Sequence, residues 1–223
     1  MNRVSKAASS CGRNPEKIRI VAVTKTVPAE KIREAAASGI SVIGESYIQE
    51  AKNKYDILSG TPVSWHFIGH LQTNKAKYAV KMFDLIHSVD SVKLAEELDI
   101  QAKKINKVQN ILIQINIGRE ETKSGINEED IPGFIKEASR FQNISVKGLM
   151  VIPPFFDNPE LVRPYFSSLR RLQGKIINSL VSNAIQGVSM DELSMGMSGD
   201  FEAAIEEGAT LVRIGTAIFG ERK

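Results

Sequence analysis

Cysteine is almost missing from this chain: Cys11 is the single one in 223 residues. One thiol excludes an internal disulfide and speaks against a cysteine-based metal site, so Cys11 reads as an ordinary residue near the terminus. Long apolar runs are missing too. No stretch of about twenty apolar residues occurs, so no segment reads as a membrane-spanning helix. The opening Met1-Asn2-Arg3-Val4-Ser5 lacks the apolar region of a secretory signal. Charge of one sign is absent as well. Lys and Arg number 29 against 26 Asp and Glu, a net charge of +3, with the bases scattered among the acids. A nucleic-acid backbone would demand a basic stripe, so nucleic acid is not an expected partner. No Gly-x-Gly-x-x-Gly follows the first apolar run, which weakens a dinucleotide-binding reading. The expectation is a soluble cytoplasmic protein with no membrane or nucleic-acid role.

What is present is alternation. Hydrophobic residues make up 42% of the chain, enough for one sizeable core. Short β-branched runs at 18–24, 40–43, 64–68, 84–89, 110–116, 145–151, 188–194 and 210–214 read as strands. Amphipathic segments lie between them. The alanine-rich stretch 28–38 stops at Gly39, a plausible C′ glycine. Ser91 suits the cap of a helix that buries Leu94 and Leu98. Acids at Glu128, Glu129 and Asp130 follow Asn127 and suit a helix start. The longest helix is expected over 159–183. Eight strands alternating with helices, without a linker, predict a single (β/α)8 TIM barrel over residues 1–223. An open doubly wound sheet is the alternative. Only 217–223 follow the eighth strand, too little for a full closing helix, so the segment before Ile18 is expected to fill that slot.

The chemistry gathers at strand ends. Lys25 closes the run Ile18-Arg19-Ile20-Val21-Ala22-Val23-Thr24, at the barrel end where ligands sit. A desolvated lysine there can form a Schiff base with an aldehyde. The same placement equally suits a lysine that merely snorkels out from a strand end. Leu193-Ser194-Met195-Gly196-Met197-Ser198-Gly199-Asp200-Phe201 ends the seventh strand and opens a helix over 201–207. Small residues there expose free N–H groups to an anion, although Ser198 also fits a plain N-cap. Val212-Arg213-Ile214-Gly215-Thr216 ends the eighth strand. Loops after strands seven and eight form the usual phosphate site of this barrel. An aldehyde-seeking lysine beside a phosphate cradle suggests pyridoxal 5′-phosphate (PLP), with Arg213 facing the pyridine nitrogen. An arginine only donates, so it holds that nitrogen unprotonated and weakens the ring as an electron sink.

Further stretches carry a resemblance: Val21-Ala22-Val23-Thr24-Lys25-Thr26, Ile43-Gly44-Glu45, Trp65-His66-Phe67-Ile68-Gly69-His70-Leu71-Gln72, Lys147-Gly148-Leu149-Met150, and the two late segments already quoted. In order and over nearly the whole length, the chain resembles the YggS/PROSC family of pyridoxal phosphate homeostasis proteins. That family is related to the N-terminal barrel of alanine racemase, PLP fold type III. The resemblance implies that Lys25 carries PLP as a Schiff base. It implies that Arg213 faces the ring nitrogen. It assigns Ser198, Gly215 and Thr216 to the phosphate, with the backbone around Met197 joining them. His66 and Met195 match pocket-wall positions, although His66 also fits a satisfied core histidine. Ser46 stands where the family usually has asparagine, which puts a direct contact from position 46 in doubt. The loop 118–125 departs slightly from the family pattern.

Three functions compete. The first is a non-catalytic or barely catalytic PLP carrier that keeps free aldehyde low, with PLP-dependent apoenzymes as partners; a self-contained barrel makes a monomer the expectation. The second reading is a PLP-dependent amino-acid racemase of weak activity. Racemisation needs bases on both faces of the substrate. Racemases take the second base from a tyrosine of a further domain that this chain does not show. The third is aldolase-like chemistry of Lys25 on a sugar phosphate, which visible colour would distinguish.

Overall fold

A computed structural model describes residues 2–118, 124–183 and 187–221. Its strands are β1 (Arg19–Val23), β2 (Val42–Glu45), β3 (Ser64–Phe67), β4 (Leu85–Val89), β5 (Gln109–Ile115), β6 (Ile144–Val151), β7 (Val188–Ser194) and β8 (Leu211–Ile214). They pair in parallel and in sequence order, and β8 pairs back onto β1 to close a barrel. The helices are α1 (Asn2–Ser10), α2 (Ala29–Ala37), α3 (Ile48–Tyr55), α4 (Ala76–Met82), α5 (Val92–Lys103), α6 (Ile131–Ala138), α7 (Arg163–Asn183), α8 (Phe201–Glu206) and α9 (Thr216–Phe219). The (β/α)8 expectation holds, and the open-sheet alternative falls with the β1–β8 pairing.

Alternation along each strand sorts the side chains into two cores. Val21, Val42, Ile68, Leu85, Leu112, Met150 and Leu211 fill the barrel, with Val23 against them. The opposite parity, including Ile43, Phe67, Ile86, Ile113 and Leu193, packs outward with the helices. Strands buried on both faces read as unbroken apolar runs. That is why most strands are legible within a residue or two. The second strand is the exception, running over Val42–Glu45 rather than 40–43. Gly44 looks like a turn residue, but it faces the barrel interior, where a Cβ would sit 2.8 Å from Val21 Cγ1.

The helix signals translate unevenly. Gly39 adopts φ +98° just past α2, as a C′ glycine does. The Ser91 hydroxyl accepts from the Leu94 amide. Asn127 makes no side-chain cap; a single 3-10 turn, Glu128–Asp130, precedes α6. Another 3-10 turn, Pro159–Leu161, precedes α7, so the α-helix begins at Arg163 rather than 159.

Helix α1 buries Val4, Ala7 and Ala8 and packs against α8. Arg3 pairs with Glu202 and lies 4.7 Å over the Phe201 ring. Val4 shares a cleft with Ile20 of β1 and Ile214 of β8. The N-terminal helix therefore occupies the flank that a long helix after β8 would take, since α9 is only four residues long. Burial of these three side chains supports roughly 3 kcal/mol of stability. Deleting residues 1–12 should lower the melting temperature by about 5–10 °C in calorimetry. An unchanged transition would remove α1 from the barrel wall.

Candidate functional site

The lysine sits in a tight turn. The Thr24 carbonyl accepts from the Val27 amide at 2.9 Å, which places Lys25 and Thr26 at the turn centre. Thr26 has φ +64°, the left-handed region that β-branched residues avoid. Lys25 is half-buried, and among the described residues its Nζ has no hydrogen-bond or ion-pair partner. Ala22 of β1 pairs with Ile214 of β8, so the Lys25 turn and Gly215–Thr216 lie at neighbouring strand ends.

The loops after β7 and β8 are tied together. Ser198 Oγ accepts from the Gly215 amide at 3.3 Å. Ser198 therefore does not cap α8. Asp200 is the residue before that helix, and its Oδ1 accepts from the Met197 amide at 2.5 Å. The Met197 N–H itself is thereby committed, which leaves the amides that follow it as the backbone donors around Met197. The amides of Ser198 and Gly199 have no acceptor among the described residues. Thr216 opens α9, where first-turn amides have no intrahelical partner. Burial pushes the Asp200 carboxyl up, against the opposing pull of the Met197 amide and the Arg213 charge.

Arg213 is buried and spans the barrel interior. Its Nη1 donates to Ser194 Oγ at 2.6 Å and its Nη2 to the Val151 carbonyl at 2.9 Å. Ser194 Oγ lies 2.8 Å from His87 Nδ1, and His87 Nε2 lies 2.9 Å from His66 Nδ1. All four side chains share the inward parity of the barrel core. Arginine can only donate, so the Ser194 hydroxyl accepts from it. Ser194 Oγ and His87 Nδ1 share one hydrogen, and so do His87 Nε2 and His66 Nδ1. Burial lowers the His66 pKa to about 3, and His87 falls well below its ordinary value for the same reason. Burial also pulls Arg213 down to about 10, which leaves it a cation at neutral pH. The relay thus consists of one cation and three neutral groups.

The remaining expected residues separate. His66 is a satisfied interior histidine in this relay rather than an open wall residue. Met195 is fully buried and packs into the outward, helix-facing core, which corrects its expected place on the pocket wall. Ser46 is half-buried beside Gly69, where a Cβ would lie 2.2 Å from the Ser46 carbonyl oxygen. In the loop 118–125, positions 119–123 lie outside the described residues. Sequence reasoning missed His87 and Ser194. Their signal was parity: both alternate in step with interior residues, Leu85 on β4 and Glu192 on β7.

The sequence and its closed parallel barrel have counterparts among known proteins. The family described as "Alanine racemase, N-terminal domain" matches residues 2–223. The pyridoxal phosphate homeostasis protein of Aquifex aeolicus is 46% identical over 223 residues, covering 100% of this chain and 95% of that protein. This chain belongs to that family. The homeostasis protein of Escherichia coli K12 is 38% identical, over 99% of this chain and 93% of its own length. Among solved structures, PipY of Synechococcus elongatus with PLP bound has a TM-score of 0.84 at 35% identity, covering 98% of this chain and 100% of its own. A Clostridium difficile alanine racemase shares the fold at a TM-score of 0.71 and 16% identity, with 99% of this chain matching 55% of that one. Family membership agrees with the closed barrel.

The neutral histidines tie stability to pH. His66 folds with a pKa near 3 against 6.5 when unfolded, so the unfolded chain binds the extra proton between those values. Its contribution is present above about pH 6.5 and is lost as pH falls toward 3. In urea titrations between pH 6 and 4, His66→Asn should reduce the slope of stability against pH by about one proton, about 1.4 kcal/mol per pH unit. An identical slope in the variant would mean that His66 is charged in the folded state.

Proposed function

We propose that this chain binds PLP through Lys25 and serves intracellular PLP homeostasis as a single barrel domain, 1–223. The observation that carries this reading is the amine of Lys25, unpartnered among the described residues and brought by barrel closure beside the joined Ser198 and Gly215 loops. Support comes from relatives at 38–46% identity that are named pyridoxal phosphate homeostasis proteins. The PipY structure at 35% identity is described with PLP bound.

The residues present fit the cofactor. Lys25 supplies a half-buried amine with no competing partner among the described residues. The free amides of Ser198 and Gly199, with the hydroxyls of Ser198 and Thr216, supply donors suited to a phosphate. Gly215 contributes the amide now shared with Ser198. Arg213, fixed through Ser194 and Val151, keeps guanidinium protons in reserve for a ring nitrogen. The bound cofactor would supply an aldehyde for Schiff-base linkage. Arg213 stays protonated, so it donates and never accepts; this arrangement suits holding the cofactor better than activating it as a strong electron sink. Ser46, short and beside the close Gly69 contact, offers a hydroxyl to the mouth. The protein works as a cytoplasmic monomer in this reading and passes the cofactor to PLP-dependent apoenzymes.

The first test is a visible spectrum of the purified protein with PLP, then borohydride reduction and peptide mapping. The adduct should map to Lys25 and disappear in Lys25→Ala, whose melting temperature should stay near that of the parent. An adduct retained in Lys25→Ala would refute the assignment. Replacing Ser198 and Thr216 together by alanine should weaken PLP binding by about 1–3 kcal/mol, one modest hydrogen bond each and somewhat more to a charged group. Unchanged affinity on titration would place the phosphate elsewhere.

A further inference from the structure

A second buried polar cluster lies outside the barrel, behind the Lys25 turn and beneath α3. The Lys54 side chain is 10% exposed and the Glu45 side chain 0%. Lys54 Nζ donates to Glu45 Oε1 at 2.8 Å, to Glu50 Oε1 at 2.6 Å and to the Thr24 carbonyl at 2.6 Å. Thr24 Oγ1 donates to Glu45 Oε1 at 2.7 Å. Glu50 Oε1 also accepts from the Thr26 amide at 2.5 Å. Glu45 Oε2 is buried with no partner among the described residues. A buried ion cluster is a poor way to stabilise a core, because well-packed apolar residues often do as well or better. Its contacts point to another role.

Two of those contacts, both from α3, reach the same turn. The Thr24 carbonyl and the Thr26 amide belong to the two peptide groups that flank the Lys25 Cα. Between them they set the direction in which the lysine leaves the backbone. The turn needs such a hold. Of its two central residues only Thr26 has positive φ, the pattern of a type II turn, where glycine is the usual occupant. A threonine there is strained and persists only when its surroundings over-determine it. The Glu50 carboxylate, on α3, is the group that holds its amide.

We propose that Glu50, braced by Lys54 and Glu45, is a positioning residue for Lys25: the cluster clamps both flanking peptide groups and aims the amine at an aldehyde. The proposal rests on the PLP reading above. In the linkage step the neutral Lys25 amine adds to the aldehyde carbon, the carbonyl oxygen leaves as water, and a C=N bond forms. The cluster exchanges no atoms in that step and acts only on the geometry of the amine.

The test compares the parent protein with Glu50→Ala, Glu50→Gln and the double variant Glu50→Ala with Thr26→Gly. Three quantities are measured: amide exchange over residues 24–27 without cofactor, the PLP dependence of borohydride-trapped Lys25, and affinity for pyridoxamine 5′-phosphate. That last ligand has the ring and phosphate but no aldehyde. In Glu50→Ala the Thr26 amide should exchange at least tenfold faster, and trapping should need about tenfold more PLP, as expected for one hydrogen bond to a charged group. Pyridoxamine phosphate affinity should not change. Glu50→Gln keeps a carbonyl for the Thr26 amide and should restore most of the trapping. The double variant should also recover, because glycine relieves the strain that Glu50 restrains. Parent-like exchange and trapping in Glu50→Ala would overturn the proposal, as would an equal loss of pyridoxamine phosphate binding, which signals general damage. If the parent itself traps no cofactor on Lys25, the PLP reading fails, while the exchange data still judge the clamp.

Discussion

Everything at the mouth of this barrel depends on the pairing of Arg19–Ala22 with Leu211–Ile214. Without that ladder, Lys25 and Arg213 belong to opposite ends of the chain, and the loop at Gly215 has no lysine beside it. With it, the first strand supplies an amine and the last two supply a cation and the anion-facing loops. The ladder has four registered residue pairs, and β7 meets β8 at only one, Ser194 with Leu211. Beyond that pair, the Thr210 amide donates to the Leu193 carbonyl, the Met195 amide to Leu211 and the Arg213 amide to Gly196, so backbone bonds carry β7 onto β8 past its last registered residue. Side-chain ties reinforce this closure: Ser198 to Gly215 across the loops, Arg213 to Ser194 inside, and α1 packed on α8 outside.

Two polar systems bracket the strand ends from opposite faces of the sheet. Inside, Arg213 is held by neutral acceptors only, a hydroxyl and a carbonyl, and the histidines behind it stay uncharged. No acid is hydrogen-bonded to it among the described residues, and Asp200 is the carboxyl that opposes its charge. Outside, the Lys54 cluster is dense in charge but spends it on backbone groups. The inner system tunes electrostatics, and the outer one governs conformation. Neither adds much to the apolar cores between which they sit.

Most of the fold could be read from the sequence because parallel strands covered on both sides leave long apolar runs, and few other patterns compete with them. The second strand was displaced because Gly44 packs inside a crowded barrel, a constraint that no local propensity records. The short helix α3 carries mixed charge over only eight residues, too little for an apolar face to stand out. At the site, Lys25, Ser198, Gly215 and Arg213 were visible as residue types at strand ends. His87 and Ser194 were not, because an interior relay depends on which strands face each other across the barrel. Met195 was misplaced by one step of alternation, enough to turn it from the mouth to the helix layer. The Glu45–Glu50–Lys54 clamp left only a faint trace, an acid four residues before a lysine. Its targets are backbone atoms, which every sequence contains.

The order of the strands also sets a clock. A ribosome delivers Lys25 early and Arg213 near the end, and ordinary synthesis rates put roughly ten to forty seconds between them. For that interval the lysine is a bare amine on an unclosed sheet, with neither the Ser198 and Gly215 loops nor the guanidinium beside it. The three come together only when the eighth strand pairs with the first.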